Sequence, residues 1–175
     1  HRDLHAFPTR RSSDLLVAKE ADDASTADVI EYKGVTISGT GYEGVTIAGN
    51  VFGGGKGIAD SFTCAKAMIG KDGDGIDHPE GGTHVTIGNG TVMGNVYGGG
   101  EIGRVEKNTV VTIGLADVGS GESAPVIKGN VFGGGMGKET HGYAALVRGN
   151  PTVTIQADAK VEHNVYGGGQ IASVA

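Results

Sequence analysis

Residues 47–55 read Ile-Ala-Gly-Asn-Val-Phe-Gly-Gly-Gly, and this stretch returns three more times along the chain. The later copies, at 92–100, 127–135 and 161–169, follow the pattern [VI]-x-[GH]-N-V-[FY]-G-G-G. Their asparagines lie at intervals of 45, 35 and 34 residues. Self-similarity at this spacing is typical of repeat proteins, in which each unit buries its apolar face only against its neighbours.

A second motif, Val-Thr-Ile, accompanies the repeat at 35–37, 45–47, 85–87, 111–113 and 153–155. β-Branched triplets bounded by Gly or Asn predict short strands. The Val after each Asn is expected in an interior column of the stacked copies. The aromatic residue after it has the opposite parity, which predicts an outer face unless the chain bends at Asn.

Asparagine and the glycine triplet predict corners between strands. Gly-Gly-Gly permits a sharp corner through positive φ, and Asn tolerates a left-handed corner while its amide can bond to neighbouring copies. We therefore predict a structural ladder at these positions in preference to a binding site. Its members are Asn50, Asn95, Asn130, Asn164, Phe52, Tyr97, Phe132 and Tyr166.

Stacked units of this kind predict an all-β fold, a parallel β-solenoid wound as a right-handed β-helix with irregular loop insertions. The alternative is an antiparallel β-sandwich or prism, because Asn89-Gly90 after a Val-Thr-Ile strand could form a hairpin turn. The recurrence of one motif at a fixed place favours stacking. Odd copies carry Phe and continue as Gly-Gly-Gly-[KM]-Gly, whereas even copies carry Tyr and continue as Gly-Gly-Gly-[EQ]-Ile-[GA]-x-Val, so the larger unit is a pair of coils.

The composition agrees with this architecture and excludes several others. Gly supplies 34 of the 175 residues and the net charge is −6. Gly costs about 1 kcal/mol per helix position, which excludes an ordinary helical domain, and the lack of a three-residue Gly period excludes collagen. The acidic balance disfavours nucleic acid as a partner, and no apolar run in this fragment approaches the length of a transmembrane segment.

The chain divides into three segments. The string FPTRRSSDL at 7–15 looks like the translation of a common sequencing adapter, so residues 1–15 are set aside as an assembly artefact. Residues 16–33 form a lead-in, and residues 34–175 hold the repeat domain. Because the chain starts with His1 and no polar cap follows the fourth copy, we expect a fragment of a longer protein.

An acidic loop at 71–82 is the candidate metal site. Its acids are Asp72, Asp74, Asp77 and Glu80. Calcium prefers several oxygen ligands on a flexible loop, but the EF-hand pattern is broken at positions 76 and 77. We therefore favour a solvated acidic turn, keep calcium as the alternative, and predict no other cofactor.

The paired NV[FY]GGG motifs and VTI strands, over residues 34–175, resemble the Gly-rich repeats of large bacterial surface proteins described as adhesin-like. The resemblance implies export, an extracellular or outer-surface location, and a β-helical stalk or adhesive shaft. Surface glycans or proteins of a host or another microbe would be the partners. It supplies no catalytic residue to carry over, so we expect a structural or adhesive segment and not an enzyme.

Two alternative functions stay open at this point. One is a carbohydrate-active β-helix, a polysaccharide lyase or hydrolase, which would place acids and basic residues in a groove along one sheet. The other is a calcium-stabilised binding module built around the acidic loop.

Overall fold

The computed structural model describes residues 33–38, 44–60, 63–64, 66–70, 82–116 and 123–175, and these ranges contain strands and no helix. The described strands are β1 (Lys33–Ile37), β2 (Thr46–Ile47), β3 (Val51–Phe52), β4 (Thr83–Ile87), β5 (Thr91–Val92), β6 (Val96–Tyr97), β7 (Thr109–Ile113), β8 (Val126–Ile127), β9 (Val131–Phe132), β10 (Pro151–Ile155), β11 (Lys160–Val161) and β12 (Val165–Tyr166). Residues 1–15, and the lead-in up to residue 32, lie outside the described ranges.

The strands stack into three parallel sheets, ordered β1-β4-β7-β10, β2-β5-β8-β11 and β3-β6-β9-β12. Each successive group of three strands is therefore one coil, and we number these coils 1 to 4. The register pairs equivalent repeat positions, as where Val51 faces Val96 and Val96 faces Val131. The prediction of an all-β parallel solenoid is confirmed. The antiparallel alternative is wrong, because every pairing between these named strands is parallel.

The five-residue strands show how the motif Val-Thr-Ile forms a wall of the coil. Successive side chains in a strand point to opposite faces. In β7, Val111 and Ile113 are accordingly buried inside, while Thr112 between them faces outward. Four of the five Val-Thr-Ile copies lie in this first sheet, but the copy at 45–47 overlaps β2 and belongs to the second.

A buried hydroxyl ties the start of the long strand to the glycine triplet of its own coil. Thr83 Oγ1 donates to the Gly98 carbonyl, and Thr109 Oγ1 donates to the Gly133 carbonyl, both at 2.5 Å. Both threonines are fully buried. The coil is thus closed by a side-chain bond between elements far apart in sequence.

A fourth side completes each coil without a regular strand. Isolated parallel bridges join Ile69 to Val105, Val105 to Val147, and Val147 to Val174. We call these four residues the closing column. It follows the same coil order as the three sheets, so the backbone is hydrogen-bonded between coils on all four sides.

Candidate functional site

The motif asparagines link consecutive coils through side chain and backbone together. Asn95 N–H donates to Asn50 Oδ1 at 2.8 Å, and Asn130 N–H donates to Asn95 Oδ1 at 2.8 Å. The Asn164 N–H donates to Asn130 Oδ1 at 3.1 Å in the same way. None of these asparagines is among the described residues with positive φ. Their role at the corner is therefore to supply a hydrogen-bond acceptor. The prediction that these asparagines adopt a left-handed conformation is wrong.

The aromatic residues after the asparagines form one stack through all four coils. Phe52, Tyr97, Phe132 and Tyr166 lie with successive ring centroids 4.8, 5.0 and 4.9 Å apart. Adjacent rings are parallel to within 10°. Tyr97 is only 1 % exposed, so the expectation of an open outer face is wrong in the middle of the stack. In coil 4 the Tyr166 ring is exposed.

The buried Tyr97 hydroxyl is held by two amides. Asn95 Nδ2 donates to Tyr97 Oη at 3.0 Å, and Tyr97 Oη donates to Gln170 Oε1. Burial raises the pKa of this phenol, and the hydrogen bond from Asn95 partly opposes that rise. A hydroxyl that is hydrogen-bonded to two amides in this way has a structural role, and the buried Tyr97 ring is not accessible to a ligand.

The glycine triplets allow the backbones of neighbouring coils to approach closely. The prediction that they adopt positive φ is wrong. The positive-φ glycines among the described residues are all outside the triplets. A Cβ added to Gly98 would lie 2.2 Å from the Gly133 carbonyl oxygen, and one on Gly99 would lie 2.8 Å from Gly135 N. The next coil therefore occupies the space that any side chain would need.

Each residue of the closing column ends a three-residue motif, which the sequence analysis detected only in the even copies. All four coils read [AG]-x-[VI] at this side, at residues 67–69, 103–105, 145–147 and 172–174. In odd coils an insertion separates this motif from the glycine triplet, which hides the match. A second Asn position was also missed: Asn150 N–H donates to Asn108 Oδ1 at 2.9 Å, just before β10 and β7. Alignment of the residues preceding each Val-Thr-Ile could have found it.

The insertions in coils 1 and 3 carry exposed side chains among their described residues. Residues 56–66 and 136–144, which we call the insertion loops, both connect the glycine triplet to the [AG]-x-[VI] motif that ends in the closing column. Since the triplets and the closing column each stack in register, both loops start on the same side of the solenoid, from triplets that are two strand spacings, about 9.6 Å, apart. Ile58 is 58 % exposed in the first loop and Tyr143 is 37 % exposed in the second.

An ion cluster braces the backbone beside these loops. Glu106 binds Arg104 Nη2 through Oε1 at 3.0 Å and Arg148 Nε through Oε2 at 2.9 Å. The Glu106 side chain is 5 % exposed. One buried carboxylate thus joins Arg104 of coil 2 to Arg148 of coil 3. We assign this ion cluster a structural role.

The acidic residues of the candidate metal site, Asp72, Asp74, Asp77 and Glu80, for which we favoured a solvated turn over calcium, lie outside the described residues. In the described ranges no group of three or more His, Cys, Asp or Glu side chains could hold a metal ion. Those ranges also contain no helix long and apolar enough to cross a membrane. No protein-family model, curated protein or solved structure matches the chain.

Proposed function

We propose that this chain is a structural and adhesive segment of an exported bacterial cell-surface protein, and that it acts by spacing and binding without catalysis. The observation that carries the proposal is the in-register stack of four coils, hydrogen-bonded on four sides, with insertion loops on one side. A body in which every coil is bonded to the next resists bending, which suits a shaft that holds a binding surface away from a cell.

The winding is proposed to be right-handed. Parallel strands joined by a crossover in the same sheet are right-handed in about 98 % of cases. Coils 1 to 3 each make such a return to the first sheet, for example from β4 through β5 and β6 back to β7.

The insertion loops are the proposed contact surface, with surface glycans or proteins of a host or another microbe as partners. Loops carried on a rigid scaffold are the usual place for binding residues. Here Ile58 and Tyr143 are exposed among charged neighbours that include Lys56 and Lys138. An exposed aromatic ring such as that of Tyr143 can stack on the apolar face of a sugar.

The chain itself offers the design for a test. In coil 2 the triplet is joined by Glu101 and Ile102 alone to the motif Gly103-Arg104-Val105, which ends in the closing column. Replacing residues 136–144 with Glu-Ile would rewrite coil 3 in the form of coil 2 and remove one insertion loop. The stack should stay intact, because the sheets and closing column are untouched.

The measurement is binding of the wild-type, loop-deleted and Tyr143→Ala chains to a glycan array and to intact cells. We expect the deletion to keep the melting temperature within a few degrees and to lower binding at least about tenfold, equal to 1.4 kcal/mol. Met93→Ala is the control, because Met93 is also exposed but lies in the motif of coil 2 and not in a loop. Binding that survives the loop deletion would contradict the loop as the contact surface, and a wild-type chain that binds nothing would reduce the segment to a spacer.

A further inference from the structure

The two insertion loops leave and rejoin the solenoid by the same backbone geometry. The second residue of each loop is a glycine at positive φ, 65° at Gly57 and 82° at Gly137. The residue after each loop is an alanine at positive φ, 55° at Ala67 and 53° at Ala145. Positive φ is uncommon for alanine, so a matched pair of such alanines is a specific arrangement. The two loops are therefore one element that recurs after two coils.

The short connection of coil 2 sets the distance between the loops. The N–H groups of Glu101 and Ile102 donate to carbonyls of coil 1, and their own carbonyls accept from the Gly137 and Ala145 N–H groups of coil 3. Coil 2 thus lies one strand spacing from the base of each loop. The bases of the two loops are two spacings apart, about 9.6 Å.

The same hydrogen bonds decide what kind of chain can lie across coil 2 between the loops. An extended peptide binds a β-structure by adding a strand, which needs unpaired backbone groups. Both N–H groups and both carbonyls of Glu101 and Ile102 are already bonded to the neighbouring coils. Side-chain contacts are therefore what this surface offers to a ligand. A sugar chain binds in this way, with its hydroxyls on polar groups and its ring faces on apolar side chains.

Each loop presents an exposed apolar or aromatic side chain beside charges of both signs. These exposed residues are Ile58, Lys56 and Asp60 in the first loop, and Tyr143, Lys138 and Glu139 in the second. Lysine donates hydrogen bonds and a carboxylate accepts them, so each pair of charges suits the hydroxyls of a neutral sugar. A polyanionic glycan would instead meet an acid in each loop and a chain of net charge −6.

We infer that the insertion loops bind successive two-sugar repeats of a neutral, extended β-1,4-linked glycan that lies along the solenoid axis. This inference rests on the proposed function and names its ligand. In such a glycan each sugar is turned over relative to the one before it, so the same ring face returns at every second sugar. That repeat nearly equals two strand spacings, about 9.6 Å. An α-1,4-linked glycan curls, so it cannot offer the same face to both loops.

The test is isothermal titration calorimetry of the 175-residue chain with cellobiose, cellotetraose and maltotetraose. Cellobiose is long enough for one loop, whereas cellotetraose reaches both. Two contacts on one ligand bind more tightly than either contact alone, so cellotetraose should bind at least about tenfold more tightly than cellobiose. Maltotetraose has the same number of sugars in an α-1,4-linked chain and should bind no more tightly than cellobiose.

The variants separate the two loops. Replacing residues 136–144 with Glu-Ile leaves one loop, so the gain from cellobiose to cellotetraose should fall below about threefold, the statistical advantage of a longer chain. Ile58→Ala and Tyr143→Ala keep both loops and should each weaken cellotetraose binding at least about fivefold, while cellobiose binding changes less because the other loop remains. Met93→Ala is the control, and circular dichroism and melting establish that all variants fold alike.

The outcomes distinguish this inference from the proposed function. A wild type that binds cellotetraose no better than cellobiose, or no better than maltotetraose, would overturn the inference and leave glycan binding in place. Binding to cells that is lost when their surface is treated with protease would assign a protein partner and also overturn it. A wild type that binds neither glycans nor cells would refute the inference and the adhesive function together.

Discussion

The hydroxyl of Tyr97 in coil 2 donates to the side-chain oxygen of Gln170, which belongs to coil 4, so one hydrogen bond spans the coil between them. The ring lies flat between Phe52 and Phe132 in the stack. Coils 1 and 3 carry Phe at this place and coil 2 carries Tyr, and the hydrogen bonds of the Tyr97 hydroxyl explain this difference. In coil 2 the buried ring has two amides within reach of a hydroxyl.

Tyr97→Phe should lower the free energy of unfolding by about 1–2 kcal/mol, because the ring still fits but Asn95 and Gln170 each lose a buried partner. Urea unfolding at pH 7 measures the change. Tyr166→Phe is the matched control, since that ring is exposed in coil 4 and should change stability little. Equal effects of the two substitutions would contradict the importance of the Tyr97 hydroxyl.

The stability of the fold should also depend on Tyr97 at alkaline pH. Burial raises the pKa of Tyr97 above its ordinary value of 10.0. The folded state therefore favours the neutral phenol, so this contribution is complete below pH 10 and is lost as the pH rises through the folded-state pKa. Urea midpoints of wild type and Tyr97→Phe from pH 8 to 11 should converge above pH 10, and parallel curves would count against this effect.

Gly99→Ala should destabilise the protein by about 1–3 kcal/mol, the usual cost of overpacking. The added Cβ would lie 2.8 Å from Gly135 N, which belongs to backbone that cannot move aside alone. Gly168→Ala changes the equivalent residue of coil 4, where nothing lies within 4 Å, and should stay within about 0.5 kcal/mol of wild type. Chemical denaturation measures the free energy of unfolding of both variants. Similar losses of stability would show that the local backbone preference of Gly, and not the close approach of the next coil, causes the effect.

Asn95→Ala should cost about 2 kcal/mol, because the Asn130 N–H loses its acceptor and Tyr97 loses a donor. In coil 4, Asn164 donates to Asn130 but lies at the end of the ladder. Asn164→Ala should therefore cost less than half as much. Thermal melts of the two variants side by side provide the comparison, and an equal fall would refute a role for the Oδ1 acceptor.

Thr109→Val should lower stability by about 1–3 kcal/mol, since the shape is kept while the buried Gly133 carbonyl loses the Oγ1–H donor. Thr112→Val makes the same change three residues later on the outward face of β7 and should be close to neutral or slightly stabilising. Native-state hydrogen exchange would also show faster exchange near β9 in Thr109→Val alone. Protection that is equal in both variants would rule out the proposed tie.

The parallel stack was predictable because the repeat itself encodes the register. A one-residue slip would move every Val of β3, β6, β9 and β12 from the interior to the other face. Only the stacking of equal positions keeps all four on the interior side of the coil. The same logic could not assign the Val-Thr-Ile at 45–47 to its sheet, because an identical triplet suits any wall of the coil.

The covering of the aromatic stack was not predictable from parity. The alternation of side chains along a strand predicts on which face of its own strand Tyr97 lies. It does not predict whether another segment covers that face. In odd coils the chain reaches the closing column through an insertion of irregular length, so the spacing that would have revealed the return at Ile69 and Val147 is lost. The acids at 72–80 lie outside the described residues, so the choice between a solvated acidic turn and the calcium alternative stays a prediction.

The sequence by itself determined that the chain is a repeat of short strands and which residues lie above one another, because those properties follow from local periodicity. Only the tertiary structure decided why the triplets must be glycine and that Tyr97 is buried. Both depend on how near the neighbouring coil comes, as where Gly99 faces Gly135 N, and such an approach between distant residues has no local pattern.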